Sequence, residues 1–130
     1  MVFAALAFVT VLCHLAFILF VIFGGFLVVR RPRLAPVHVA CAAWGAYVSL
    51  ANRICPLTPL ENWFRQRSGG SGYAGDFLEH YLLAVIYPTG LTASAQQLLG
   101  LAVIVLNAAV YTWILRTRRG RTAPVTPPEP

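Results

Sequence analysis

Three histidines, His14, His38 and His80, are the side chains of this sequence best suited to ligate a metal or move a proton near neutral pH. Asp76 and His80 stand four residues apart, so on a helix they share a face, and His14 can supply a third ligand if its own segment runs alongside. Such a group can hold a metal, ligate a haem, relay protons or receive a lipid headgroup. His14 and His80 are therefore the candidate cofactor-binding residues, and His14, Asp76 and His80 the candidate metal ligands, with no particular cofactor specified. The acids also have a plainer explanation. Thr58-Pro59-Leu60-Glu61 reads as a capping box with proline at the first helical position, and Asp76-Phe77-Leu78-Glu79 repeats the logic. Capping by Thr58, Glu61, Asp76 and Glu79 accounts for these acids without any ligand, and it outweighs the functional cluster.

The cysteines add little chemistry. Cys13, Cys41 and Cys55 make neither a zinc spacing nor a Cys-x-x-Cys motif, and two of them lie inside hydrophobic runs, so no disulfide is expected. The sequence holds no GxSxG, no P-loop and no HExxH, and none of Ser49, Ser68, Ser71 and Ser94 has a nucleophile's setting.

The elements that must position these residues follow from where the charges are missing. Met1–Val29, Leu34–Asn52 and His80–Leu115 carry no Asp, Glu, Lys or Arg. With only 11% charged residues the chain cannot cover a soluble surface, whereas a helix crossing a bilayer needs ~20 apolar residues. All ten cationic residues are arginines, and seven of them gather as Arg30, Arg31, Arg33 and Arg116, Arg118, Arg119, Arg121. Clusters at helix ends fit the positive-inside rule better than nucleic-acid binding, which is not expected.

The reading is thus an all-α integral membrane protein, a small bundle of three transmembrane helices at about residues 5–29, 35–54 and 92–115. A short amphipathic interfacial helix over about 59–67 carries Leu60, Trp63 and Phe64 on one face. A second short helix over about 77–87 stops at Pro88-Thr89-Gly90, too short to span, and is interfacial or re-entrant. Residues 1–121 form one transmembrane domain, and 122–130 a disordered cytoplasmic tail. Cys41, Gly45 and Ser49 recur at i, i+4, i+8, and Gln96, Gly100, Asn107 and Tyr111 fall near one face of the last span, two seams where helices can approach. Both arginine clusters belong in the cytoplasm, which places the N-terminus outside and the C-terminus inside. His14 lies sixteen residues before Arg30, about 24 Å up from the cytoplasmic edge, and His38 only about 8 Å, so these two cannot share a haem. His38 reads as a hydrogen-bonded residue at headgroup level, while His80 lies near the outer face at a depth compatible with His14.

The string Ile54-Cys55-Pro56-Leu57-Thr58-Pro59-Leu60-Glu61-Asn62, then Gly72-Tyr73, Phe77, Glu79-His80-Tyr81 and Ile86-Tyr87-Pro88, resembles a bacterial membrane family, the domain of unknown function 2784. His14, Gly24-Gly25, the Arg-Arg-Pro-Arg turn, His38 and Trp44 carry the resemblance from about Ala7 to Leu115. It implies a small inner (plasma) membrane protein and supplies no catalytic residue.

Three functions are expected in order: a non-catalytic accessory or assembly subunit of a larger membrane complex; a histidine-based haem- or metal-binding redox protein; and an enzyme or binder of lipid or isoprenoid headgroups at the outer leaflet. The balance leans away from an enzyme. The expected partners are the lipid bilayer and other membrane-protein subunits.

Overall fold

A computed structural model describes residues 1–75, 77–83 and 92–121, with backbone only at 82–83 and 119–121. Every element among them is helical: α1 (Val2–Arg30), a 3₁₀ turn (Pro32–Leu34), α2 (Ala35–Leu50), α3 (Leu57–Arg67), a π-helical turn (Leu78–Leu83) and α4 (Ala93–Arg121). Pro32 and Pro36 both suit helix starts, because neither position needs the missing N–H, so the chain reverses at the arginines and restarts at once.

Two helices, Val2–Arg30 and Ala93–Arg118, are long and apolar enough to cross a membrane, with mean hydropathy 2.8 and 2.2. Only 22% and 17% of their most apolar windows are buried inside the protein, whereas the core helix of a soluble domain hides most of its apolar surface. Phe8, Leu12, Leu19, Phe23 and Phe26 of α1 are among the large apolar residues left outward.

α1 and α4 run in the same direction, and α2 runs against both. At the arginine-rich end α1 meets α4: Asn107 Nδ2 donates 3.1 Å to the Val21 carbonyl, and a Cβ on Gly25 would come within 2.8 Å of Val110. At the other end α4 leans on α2, where a Cβ on Gly100 would come within 2.9 Å of Ser49. The two glycines therefore mark where backbones cross, and between those crossings α1 and α4 diverge. α3 packs beside the N-terminal half of α1, with Trp63 edge-on to Phe3 at 6.0 Å.

The boundaries of α2, α4 and α3 differ from the sequence reading. α2 ends at Leu50, because Asn52 takes a left-handed conformation (φ 49°) that no helix continues. α4 continues as helix through its arginines to Arg121, since arginine is a good helix former and its charge suits a helix C-terminus. α3 starts at Leu57 with Pro56 as its flanking residue, and among the described residues no side-chain hydrogen bond caps it. Thr58 is therefore not the cap: its N–H donates to the Cys55 carbonyl at 2.9 Å, and Glu61 turns its carboxylate elsewhere. The expected helix over 77–87 is described only as far as Leu83, in π form, and the proposed cap Asp76 and the proline-rich tail lie outside the described residues.

Candidate functional site

The site is built on α3. Glu61 is fully buried, and an isolated carboxylate there would be costly. It is satisfied three times over. Arg65 Nε donates to Oε1 at 2.8 Å from one turn on, the Tyr81 hydroxyl donates to the same oxygen at 2.7 Å, and the Tyr73 hydroxyl donates to Oε2 at 2.9 Å. Arg65 also donates from Nη2 to the Tyr81 hydroxyl, which closes the ring of bonds. Next to it Asn62 clamps the backbone of Tyr73, giving Nδ2–H to its carbonyl at 2.9 Å and accepting its N–H on Oδ1 at 3.1 Å.

These bonds set the electrostatics. Burial, then the hydrogen bond and charge of Glu61, push the Tyr81 phenol up to about 12 and the Tyr73 phenol above its ordinary value as well. For Arg65, burial opposes the charge, but Glu61 together with Tyr81 and Tyr73 more than offsets it and holds the guanidinium above its usual value. The network is a neutral, closed unit at physiological pH, with two phenols that resist ionisation.

Its effect is positional. Tyr73 and Tyr81 pin the chain that returns from the glycine-rich loop, and between them Phe77 is pressed inward, buried to 2% exposure and stacked on His14 at 4.1 Å. Beneath this roof, in the gap where α1 and α4 diverge, lies an apolar cleft of about 470 Å³, open along one side. Among the described residues His14, Ser49, Cys55 and Leu78 line its α3 end, and Val21 and Leu106 its deep end against the α1–α4 crossing.

The sequence candidates separate. His14 is buried on the cleft wall beneath Phe77, while His80 is exposed and lies flat on the Tyr73 ring at 3.9 Å. The two imidazoles thus stack on different rings. No three His, Cys, Asp or Glu gather in a metal-holding group among the described residues, and Asp76, the third proposed ligand, lies outside them. Glu79 lies with its carboxylate against Gly75, whose positive φ of 91° suits glycine. His38 is hydrogen-bonded, as expected, but within the bundle. It is fully buried between helices, its Nδ1 sharing a 2.9 Å hydrogen bond with the Tyr111 hydroxyl and its ring edge filling the space that Gly24 leaves.

Sequence reasoning missed Asn62, Tyr73 and Tyr81. No spacing rule links residues across a glycine-rich loop, and their one signal was that all three stand among the residues carrying the family resemblance. No curated protein and no solved structure matches the chain. The sequence profile of the family described as protein of unknown function DUF2784 matches residues 4–112, which is most of the chain, and the protein belongs to that family.

Proposed function

We propose that this protein binds the apolar chain of a lipid-like amphiphile in the cleft between α1, α2 and α4, as a non-catalytic three-span protein of a bacterial inner membrane. The observation that carries the reading is the cleft itself, whose volume of about 470 Å³ falls in the range of small-ligand sites. Its polar wall residues, His14 and Ser49, gather at the α3 end, and the rest of its wall is apolar. An amphiphile with its head at that end and its chain directed toward the bilayer centre matches this polarity. The three-span arrangement is supported by length: α2 rises ~24 Å and the preceding 3₁₀ turn ~6 Å, together close to the ~30 Å hydrocarbon core. With the arginines cytoplasmic, the N-terminus and α3 lie outside, in the outer leaflet's headgroup layer.

The test uses the full chain purified in mild detergent, with organic extracts read by mass spectrometry. Wild-type protein should carry one amphiphile class well above the bulk lipid proportion, and Ala102→Trp, which fills the cleft, should lose it. Identical extracts from both proteins would overturn the reading. A larger membrane complex retained with no enriched amphiphile would put an accessory-subunit role in its place, and a stoichiometric metal or a Soret band a redox role.

A further inference from the structure

A second cleft opens at the opposite, arginine-rich end of the bundle. Among the described residues Val29 of α1 and Trp113, Ile114, Thr117 and Arg118 of α4 bound it, and it measures about 480 Å³. Its wall is apolar at Val29, Trp113 and Ile114 and cationic at Arg118, one helical turn farther along α4. Among the described residues Arg118 is the arginine that lines the cleft; Arg30 and Arg31 follow its wall residue Val29 in the chain, with Arg33 beyond Pro32, and Arg116 adjoins Thr117, so each arginine cluster adjoins a residue of the cleft wall. All five guanidinium side chains are exposed. Neither contributing segment holds a carboxylate: no Asp or Glu occurs before Glu61, and none between His80 and Arg121. Among the described residues the Arg65–Glu61 pair lies at the far end of the molecule. Thr117 is no donor here, since its hydroxyl already donates to the carbonyls of Trp113 and Ile114 at 2.7 and 3.1 Å.

We propose that this cleft holds one anionic phospholipid, its phosphate on Arg118 in the field of the neighbouring arginines, and one acyl chain against Val29, Ile114 and Trp113. A guanidinium presents its donors in a planar fork that matches phosphate oxygens. A basic pocket between membrane helices is the setting in which such headgroups are held. The apolar wall immediately below the cations distinguishes a lipid from a free phosphate, which would gain nothing from Trp113. It also separates a held lipid from the diffuse attraction that any arginine-rich helix end exerts, because diffuse attraction is screened by salt and a seated ion pair much less so.

Trp113 is the reporter. The full chain carrying Trp44→Phe and Trp63→Phe is reconstituted in phosphatidylcholine vesicles, and bromine-labelled phosphatidylglycerol is compared with bromine-labelled phosphatidylcholine as quencher. The anionic lipid should be favoured at Trp113 on the order of fivefold or more, and the preference should persist in about 0.5 M salt. Arg118→Gln should bring the preference close to unity, while Arg53→Gln, at the other end of the bundle, should leave it unchanged. If Arg118→Gln loses its helical circular dichroism, Arg118→Lys replaces it and should reduce the preference without abolishing it. Equal quenching by both lipids, a preference that disappears at high salt, one competed away by millimolar inorganic phosphate, or one that neither Arg118 variant changes would each overturn the proposal.

Discussion

Tyr81 donates its hydroxyl proton to Oε1 of Glu61 at 2.7 Å, joining two residues twenty positions apart across a glycine-rich loop. Because Tyr73 takes the other carboxylate oxygen at 2.9 Å, Glu61 holds both ends of the segment that carries Phe77 over His14. The segment that covers the α3 end of the cleft is therefore fastened from α3. Glu61→Gln keeps the shape but loses the charge that strengthens all three bonds, and should cost roughly 1.5–3 kcal/mol of stability. Tyr81→Phe alone should cost about 1 kcal/mol, and the double variant less than the sum, because the bond that one change weakens is the bond the other removes. Chemical denaturation in detergent reads this, and strict additivity would contradict the shared network.

The two phenols also set an alkaline limit. Tyr81 is pushed up to about 12 by burial and by Glu61, and Tyr73 moves the same way. A group whose native pKa lies above its unfolded value, ~10 for tyrosine, stabilises fully below that value and loses the contribution as pH rises through the native one. Thermal stability should therefore be flat up to about pH 10 from this source and fall between about 10 and 12. Tyr73→Phe/Tyr81→Phe should remove that fall while lowering stability at neutral pH, and the near-ultraviolet phenolate absorbance should show two late-titrating tyrosines.

What was legible in the sequence is what repeats with the helical period. Gly45 and Ser49 on α2 and Gln96, Gly100, Asn107 and Tyr111 on α4 recur as seams, and in the structure Gly45 meets Val21, Gly100 meets Ser49, Gln96 reaches the Arg53 carbonyl, Asn107 bonds the Val21 carbonyl and Tyr111 bonds His38. Pairings across loops have no such period, and capping is the nearest explanation the sequence offers for the acids. That explanation failed at Glu61 because Arg65 and two phenols offer it stronger donors than a backbone N–H at the start of α3. The burial of His38 is not legible along α2, because it depends on Gly24 of another helix lacking a side chain. The cleft was not legible at all, since it arises from the divergence of α1 and α4 between two glycine contacts.

Topology gives a test that does not depend on stability. Val29 and Arg118 border one cleft, so both arginine clusters lie at the same end, and the loop after α3 lies at the other. In a chain whose three native cysteines are replaced by alanine, Ser71→Cys should label from the outer side of intact cells with an impermeant maleimide, and Thr122→Cys only after permeabilisation. Labelling of both positions from the same side would sink the three-span arrangement.

The last prediction separates glycines that only look alike in sequence. Gly24, Gly45 and Gly100 all sit on helices, and each could be taken as a small residue at an interface. A Cβ on Gly24 would lie 2.8 Å from His38 Nε2 and 2.9 Å from the Phe20 ring, and His38 is completely enclosed, so the ring has nowhere to move. A Cβ on Gly100 would meet Ser49 at 2.9 Å and the backbone nitrogen of Leu50 at 3.2 Å, which forces the helices apart. A Cβ on Gly45 meets Val21 at 3.5 Å, ordinary van der Waals contact. Alanine also favours helix over glycine by ~1 kcal/mol, and this gain applies at all three positions. Gly45→Ala should therefore be neutral or stabilising, whereas overpacking of ~1–3 kcal/mol should outweigh the gain at Gly24 and Gly100. At Gly24 the displaced ring must also strain its bond to Tyr111, so Gly24→Ala should be the most harmful of the three. The companion variant Tyr111→Phe, which frees His38 to shift, should then lessen the harm of Gly24→Ala instead of adding to it. Full additivity of those two changes would show that the ring is not held between them.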